Sequence, residues 1–131
     1  GLISETFKTS KGKFVVPSNI ESRLGSISQL AQYCVVGHGL TSPILLATLS
    51  QSGLEQQSDA LKAALTSALD SLNAQLNPWE RMSQVFIVPE WTIQSGLLTP
   101  TMKLKRNNIE AQYRSIIESG VYSEVVTLLN N

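Results

Sequence analysis

The sequence predicts a small α/β domain, α+β-like in its arrangement. It should hold an N-terminal β-hairpin and a roughly three-stranded mixed sheet flanked by helices. Three observations carry this. The apolar runs 30–37 and 43–49 are continuous rather than alternating, as in strands covered on both faces. A leucine stripe over 58–76 has helical spacing. Strand and helix patterns alternate along 131 residues, the length of one domain.

Residues 3–8 and 12–16 read as the hairpin strands. The loop Thr9-Ser10-Lys11-Gly12 has the length that usually contains a glycine at positive φ. Pro17 stops the second strand. Ser18 then suits an N-cap, with Glu21 three residues on as in a capping box. Ile20, Leu24 and Ile27 stripe a short helix, weakened by Gly25 and Ser26. Gly37–Ser42, rich in turn formers, joins the two core strands. In the main helix, Leu61, Leu65, Leu69, Leu72 and Leu76 share a face, Ser58 can cap the start, and Asn77-Pro78 ends it. Residues 84–88 form a further strand, stopped by Pro89. A turn at Gln94-Ser95-Gly96 leads to the segment 97–106. Ile109, Tyr113, Ile116 and Ile117 stripe a last helix from near Asn108 to Ser119-Gly120. Residues 121–129 are expected to add one more helical turn.

Composition excludes several classes. An apolar content of 42% with 15% charged residues is that of a folded chain. No apolar run approaches the ~18 residues of a spanning helix, and the N-terminus lacks a signal-peptide pattern. The balance of 10 basic and 10 acidic residues argues against a dedicated nucleic-acid binder. A single cysteine forms no internal disulfide and suits a reducing compartment. The positive charges do concentrate in two turn-rich stretches, 8–13 and 103–106. Were these to meet, they would form a local anion site; by charge counting alone they are ordinary solvated loops.

Motifs for independent catalysis are missing. Cys34 lies within an apolar strand and His38 in the following loop, so both read as structural. One His and one Cys make no zinc set, and no metal site is expected in this chain. There is no phosphate-binding Gly-Lys loop, no complete dinucleotide-binding glycine turn and no serine nucleophile elbow. The segment Gly96–Arg106 is the unusual one: a glycine turn, Thr99-Pro100-Thr101, then Lys103-Leu104-Lys105-Arg106. A lysine fixed beside a turn can act as a point charge on phosphate or carboxylate oxygens. A basic edge that discourages strand pairing is the plainer reading of the same residues.

Gly96-Leu97-Leu98-Thr99-Pro100-Thr101-Met102-Lys103-Leu104-Lys105-Arg106-Asn107 closely resembles the last core motif of long-chain fatty acid–CoA ligases, in the AMP-forming adenylating superfamily. Phe86–Thr92 fits the same family. Phe7–Glu21 looks like the loop opening the family's C-terminal domain, and the helix ending Asn73-Ala74-Gln75-Leu76 is typical of it. The resemblance runs in order from residue 1 to about residue 122. It departs from the family at the start, where Gly1-Leu2 stands for the usual Gly-Arg.

The resemblance implies that residues 1–131 are the C-terminal lid domain of such a ligase, starting at the hinge, with the large N-terminal adenylation domain as partner. The full enzyme would convert ATP, fatty acid and coenzyme A to acyl-CoA, AMP and diphosphate, using Mg2+. The domain alone is expected to bind no cofactor and to be inactive. Family roles fall on Lys103, the adenylation lysine, on Gly12 in the pantetheine channel, and on Ser4 at the hinge, where Asp or Lys is commoner. Lys11 and Lys13, with Lys8, would suit the coenzyme A phosphates by their charge. The compartment implied is cytoplasmic, with the full enzyme at a membrane surface as a variant. Another carboxylic acid as substrate, or a free-standing nucleotide- or partner-binding module, are the alternative readings.

Overall fold

The computed structural model describes residues 5–120 and 122–129. Ser4 and the first part of the expected first strand lie outside the described residues. Strand β1 (Phe7–Lys8) pairs antiparallel with β2 (Phe14–Val15), Phe7 opposite Val15 and Lys8 opposite Phe14. Among the described residues the ladder is shorter than 5–8 and 12–16 predict, and Glu5 lies 3.3 Å from Arg106.

Helix α1 (Pro17–Glu21) differs at its cap. Pro17 takes the first helical position, where its missing N–H costs nothing, and Val16 precedes it without a side-chain bond. Ser18 lies inside the helix, and Glu21 makes no capping box. Its carboxylate is engaged by the Arg106 guanidinium and by the Val35 N–H (2.8 Å), charge-assisted bonds stronger than a neutral cap contact. A 3₁₀ turn (Leu24–Ser26) follows.

Strands β3 (Leu30–Val36) and β4 (Ile44–Leu49) form an antiparallel pair with a bulge between Leu30 and Gln32. A short helix that sequence reading missed, α2 (Gln51–Glu55), starts at Ser50, whose hydroxyl accepts from the Gly53 N–H. Helix α3 (Ser58–Asn73) is capped by the Gln57 side chain rather than by Ser58. It ends before Leu76 because the Asn73 amide pairs with both backbone groups of Met82, at 2.8 and 2.9 Å. Leu76 is buried all the same. Strand β5 (Val85–Ile87) leads through the 90–105 segment to helix α4 (Arg106–Ser119). The final residues form strand β6 (Val126–Leu128), not another helical turn. The β-branched Val125-Val126-Thr127 favours a pleated conformation, and β5 offers it an open edge.

The main sheet therefore has four strands in the order β3-β4-β5-β6, one more than expected. β3 and β4 are antiparallel, while β5 runs parallel to β4 and β6 parallel to β5. Val35, Leu45, Ala47, Val85 and Ile87 face the core under α1 and α3. Cys34, Val36, Ile44, Leu46 and Phe86 face a second core with Trp91, Leu98, Ile109 and Tyr113. Two covered faces explain the unbroken apolar runs. Burial pushes the Cys34 thiol up to about 12, against the opposing pull of Arg106, so it remains a neutral apolar group near neutral pH. No helix among the described residues is long and apolar enough to cross a membrane.

Candidate functional site

The segment that carries Lys103 is held from below before it turns. Trp91 is 1% exposed, and its backbone is gripped on both sides by the Gln32 amide (3.0 and 2.9 Å), itself bonded to the buried Thr48 hydroxyl. Thr92 and Ser95 exchange hydrogen bonds across the next turn. The Asn108 amide, from the first turn of α4, donates to the Gly96 carbonyl (3.0 Å). Leu97 and Leu98 are buried, and Leu98 bridges antiparallel to Leu104. The Lys105 N–H closes the base on the Leu97 carbonyl (2.9 Å).

Above this base the chain reverses in a tight turn. The Thr99 N–H donates to the Lys103 carbonyl (2.8 Å) and the Met102 N–H to the Thr99 carbonyl (2.8 Å). Pro100 sits at the second turn position, where its fixed φ is favoured. Met102 takes φ 68° and leaves its side chain exposed. The Thr99 hydroxyl accepts from the Lys103 N–H (3.0 Å). Lys103 and Lys105 are both exposed and flank the partly buried Leu104. The Lys103 ammonium makes no hydrogen bond or ion pair among the described residues.

The N-terminal hairpin uses the same turn. The Thr9 N–H donates to the Lys13 carbonyl (2.9 Å), the Gly12 N–H to the Thr9 carbonyl (3.0 Å), and the Lys13 N–H to the Thr9 hydroxyl (3.3 Å). Gly12 occupies the position of Met102, at φ +80°. The left-handed backbone alone thus favours glycine here. A Cβ on Gly12 would meet only the Lys8 Cε, at 3.9 Å, so within this domain the space above it is open. Lys11 is at the exposed tip. Lys8 and Lys13 are not loose charges: their ammonium groups lie over the rings of Phe14 (5.6 Å) and Trp79 (5.3 Å).

The basic residues of the two stretches differ in how they are held: Lys8 and Lys13 lie over aromatic rings, whereas Arg106 is drawn to carboxylates. Arg106, expected to be exposed, is the first residue of α4, and its side chain is 16% exposed. Both of its terminal nitrogens bond the Glu21 carboxylate, one at 2.8 Å. Burial opposes its charge, but the Glu21 bonds outweigh this and hold the guanidinium above its usual range. Arg106 is therefore a structural anchor that ties α4 to α1 and β3. Sequence reading could not find this pair, because 85 positions separate the partners. His38 is exposed and stands apart from any such pairing. No three metal-ligating side chains come together among the described residues.

The family model for the AMP-binding enzyme C-terminal domain matches residues 5–125. This chain belongs to that family. Long-chain-fatty-acid–CoA ligase 5 of Mus musculus is 27% identical over 86% of this chain and 20% of its own length. The carboxylic acid reductase of Mycobacterium marinum is 27% identical over 93% of this chain and 11% of its own. The A-PCP didomain of the carboxylic acid reductase from Segniliparus rugosus, solved in complex with AMP, superposes with a TM-score of 0.76. It is 25% identical over 87% of this chain and 17% of that structure. As a member of the AMP-binding C-terminal family, the chain spans about a fifth of the length of the ligase.

Proposed function

We propose that this AMP-binding C-terminal domain is the lid of a long-chain fatty acid–CoA ligase, with Lys103 as the adenylation lysine. One observation supports the reading: a hydrogen-bonded turn on a buried base presents an ammonium that has no partner among the described residues, where the sequence resembles the family's last core motif. The reaction brings a carboxylate and a triphosphate together. An ammonium placed between them stabilises charge in the in-line displacement at phosphorus. The domain supplies that charge to a site built by the N-terminal adenylation domain, which would hold ATP, Mg2+ and the fatty acid. Alone it gives no proximity advantage and should be inactive. The compartment proposed is cytoplasmic, or a membrane surface for the full enzyme.

The second face proposed is the Gly12 hairpin, lining the pantetheine channel, with Lys11, Lys13 and Lys8 toward the coenzyme A phosphates. Ser4 would serve as hinge. The reductase relatives favour one other reading, a different carboxylic acid within the same adenylating chemistry.

The hairpin role is tested in the full-length protein with oleate, ATP and coenzyme A, each half-reaction followed separately. Gly12→Ala and Gly12→Leu carry the same left-handed strain, of about 1–2 kcal/mol, so their difference isolates side-chain bulk. Gly12→Leu is expected to slow thioester formation on the order of tenfold beyond Gly12→Ala, with adenylation equal in the two. Equal losses in both half-reactions would assign Gly12 to hairpin folding alone. Thioester formed from an aryl acid but not from oleate would favour the other substrate class.

A further inference from the structure

We propose that Thr99 is a positioning residue for Lys103; this rests on the adenylation reading of Lys103. One threonine fixes both polar groups of the lysine's backbone, its N–H through the hydroxyl (3.0 Å) and its carbonyl through the main chain (2.8 Å). The Thr101 hydroxyl, 3.1 Å away, gives the Thr99 hydroxyl a second partner.

The comparison of the two turns shows why this clamp matters more here than at the hairpin. Their three bonds are the same, but the left-handed position holds Gly12 in one and Met102 in the other. Glycine takes that conformation without a steric penalty, whereas a Cβ makes it unfavourable. The hydroxyl bond closes on the residue directly after Met102. Without it, Met102 can relax toward negative φ. That relaxation rotates the peptide leading into Lys103 and carries the ammonium off its line. The turn's base, through Leu97, Leu98, Leu104 and Lys105, does not depend on the hydroxyl. Loss of the clamp should therefore disturb the lysine and leave the fold intact.

The test compares Thr99→Val, Thr99→Ser, Lys103→Ala and the Thr99→Val/Lys103→Ala double variant in the full-length enzyme, as single-turnover half-reactions. Thr99→Val should slow adenylation on the order of tenfold, the scale of a small misplacement of a reacting group. KM for ATP and thioester formation from supplied acyl-adenylate should not move. Thr99→Ser should restore the rate, and Thr99→Val should add no loss to Lys103→Ala, because it acts through that side chain. The proposal is overturned if Thr99→Val leaves adenylation unchanged, if serine fails to restore it, or if the two losses multiply in full. Should Lys103→Ala itself leave adenylation intact, the lysine reading falls and this proposal with it, a result distinct from the other three.

Discussion

Lys103→Ala in the full-length enzyme is expected to slow adenylation on the order of 10²–10³-fold, the usual effect of deleting one preorganised donor to a transition state. Its ammonium has no partner among the described residues, so the substitution leaves nothing in this domain unpaired. The fold should barely notice, since exposed charges contribute within about 0.5 kcal/mol. Thioester formation from supplied acyl-adenylate should survive, because the lid is proposed to present its other face in that step. Lys105→Ala is the control: Lys105 flanks Leu104 as Lys103 does, but its backbone closes the base of the turn rather than its tip. Single-turnover rates for both half-reactions in the two variants decide the matter. A loss confined to Lys105→Ala would move the catalytic register by two residues, and no loss in either would end the catalytic reading of the segment.

Arg106→Ala should act in the opposite way, on stability. The Arg106 and Glu21 side chains are 16% and 12% exposed. Removing one partner of such a pair leaves a carboxylate desolvated and uncompensated, at a cost of about 3–5 kcal/mol. The Glu21 bond to the Val35 N–H would survive but cannot balance the charge. Replacing both residues, as Arg106→Met with Glu21→Leu, should recover only part of the loss: the apolar pair carries no ion desolvation penalty, but the buried Val35 N–H loses its acceptor, at a cost of about 1–3 kcal/mol. Denaturant unfolding of the chain and its two variants measures this. An Arg106→Ala midpoint close to that of the unchanged chain would show that the pair is screened rather than structural.

The contrast between these basic residues marks where sequence reading succeeds. The strands at 30–36 and 44–49 were legible because burial on both faces removes alternation, a pattern visible within a few residues. The α3 leucines were legible for the same local reason. Lys103 is singled out only by its likeness to a motif; by charge alone it matches Lys105 and Arg106. What separates the three is tertiary. Glu21 captures Arg106 from 85 residues away, and a threonine clamp fixes Lys103 at the tip of its turn. The caps failed similarly: Ser18 and Ser58 have the right chemistry, yet Pro17 opens α1 behind a Val16 cap two positions earlier than expected, and Gln57 caps α3 one position earlier. β6 escaped because a three-residue strand has too little pattern of its own and exists by virtue of the neighbour it joins.

That neighbour relation reaches beyond fold. β6 covers one flank of β5, taking the Val85 N–H on the Val125 carbonyl (2.8 Å) and placing the Leu129 N–H on the Ile87 carbonyl (2.7 Å). The opposite margin of the sheet, β3, protects itself with a bulge and the exposed Ala31. β5 has no such guard: Val85-Phe86-Ile87 is buried throughout and carries no charge. A chain cut after Gly120 would offer this strip of open amides and carbonyls to any extended segment, including the same strip of another copy. Its elution on a sizing column should drift to larger species as concentration rises, while the intact chain elutes unchanged. The last eleven residues would then serve as a stopper against self-templated polymerisation, a duty separate from chemistry.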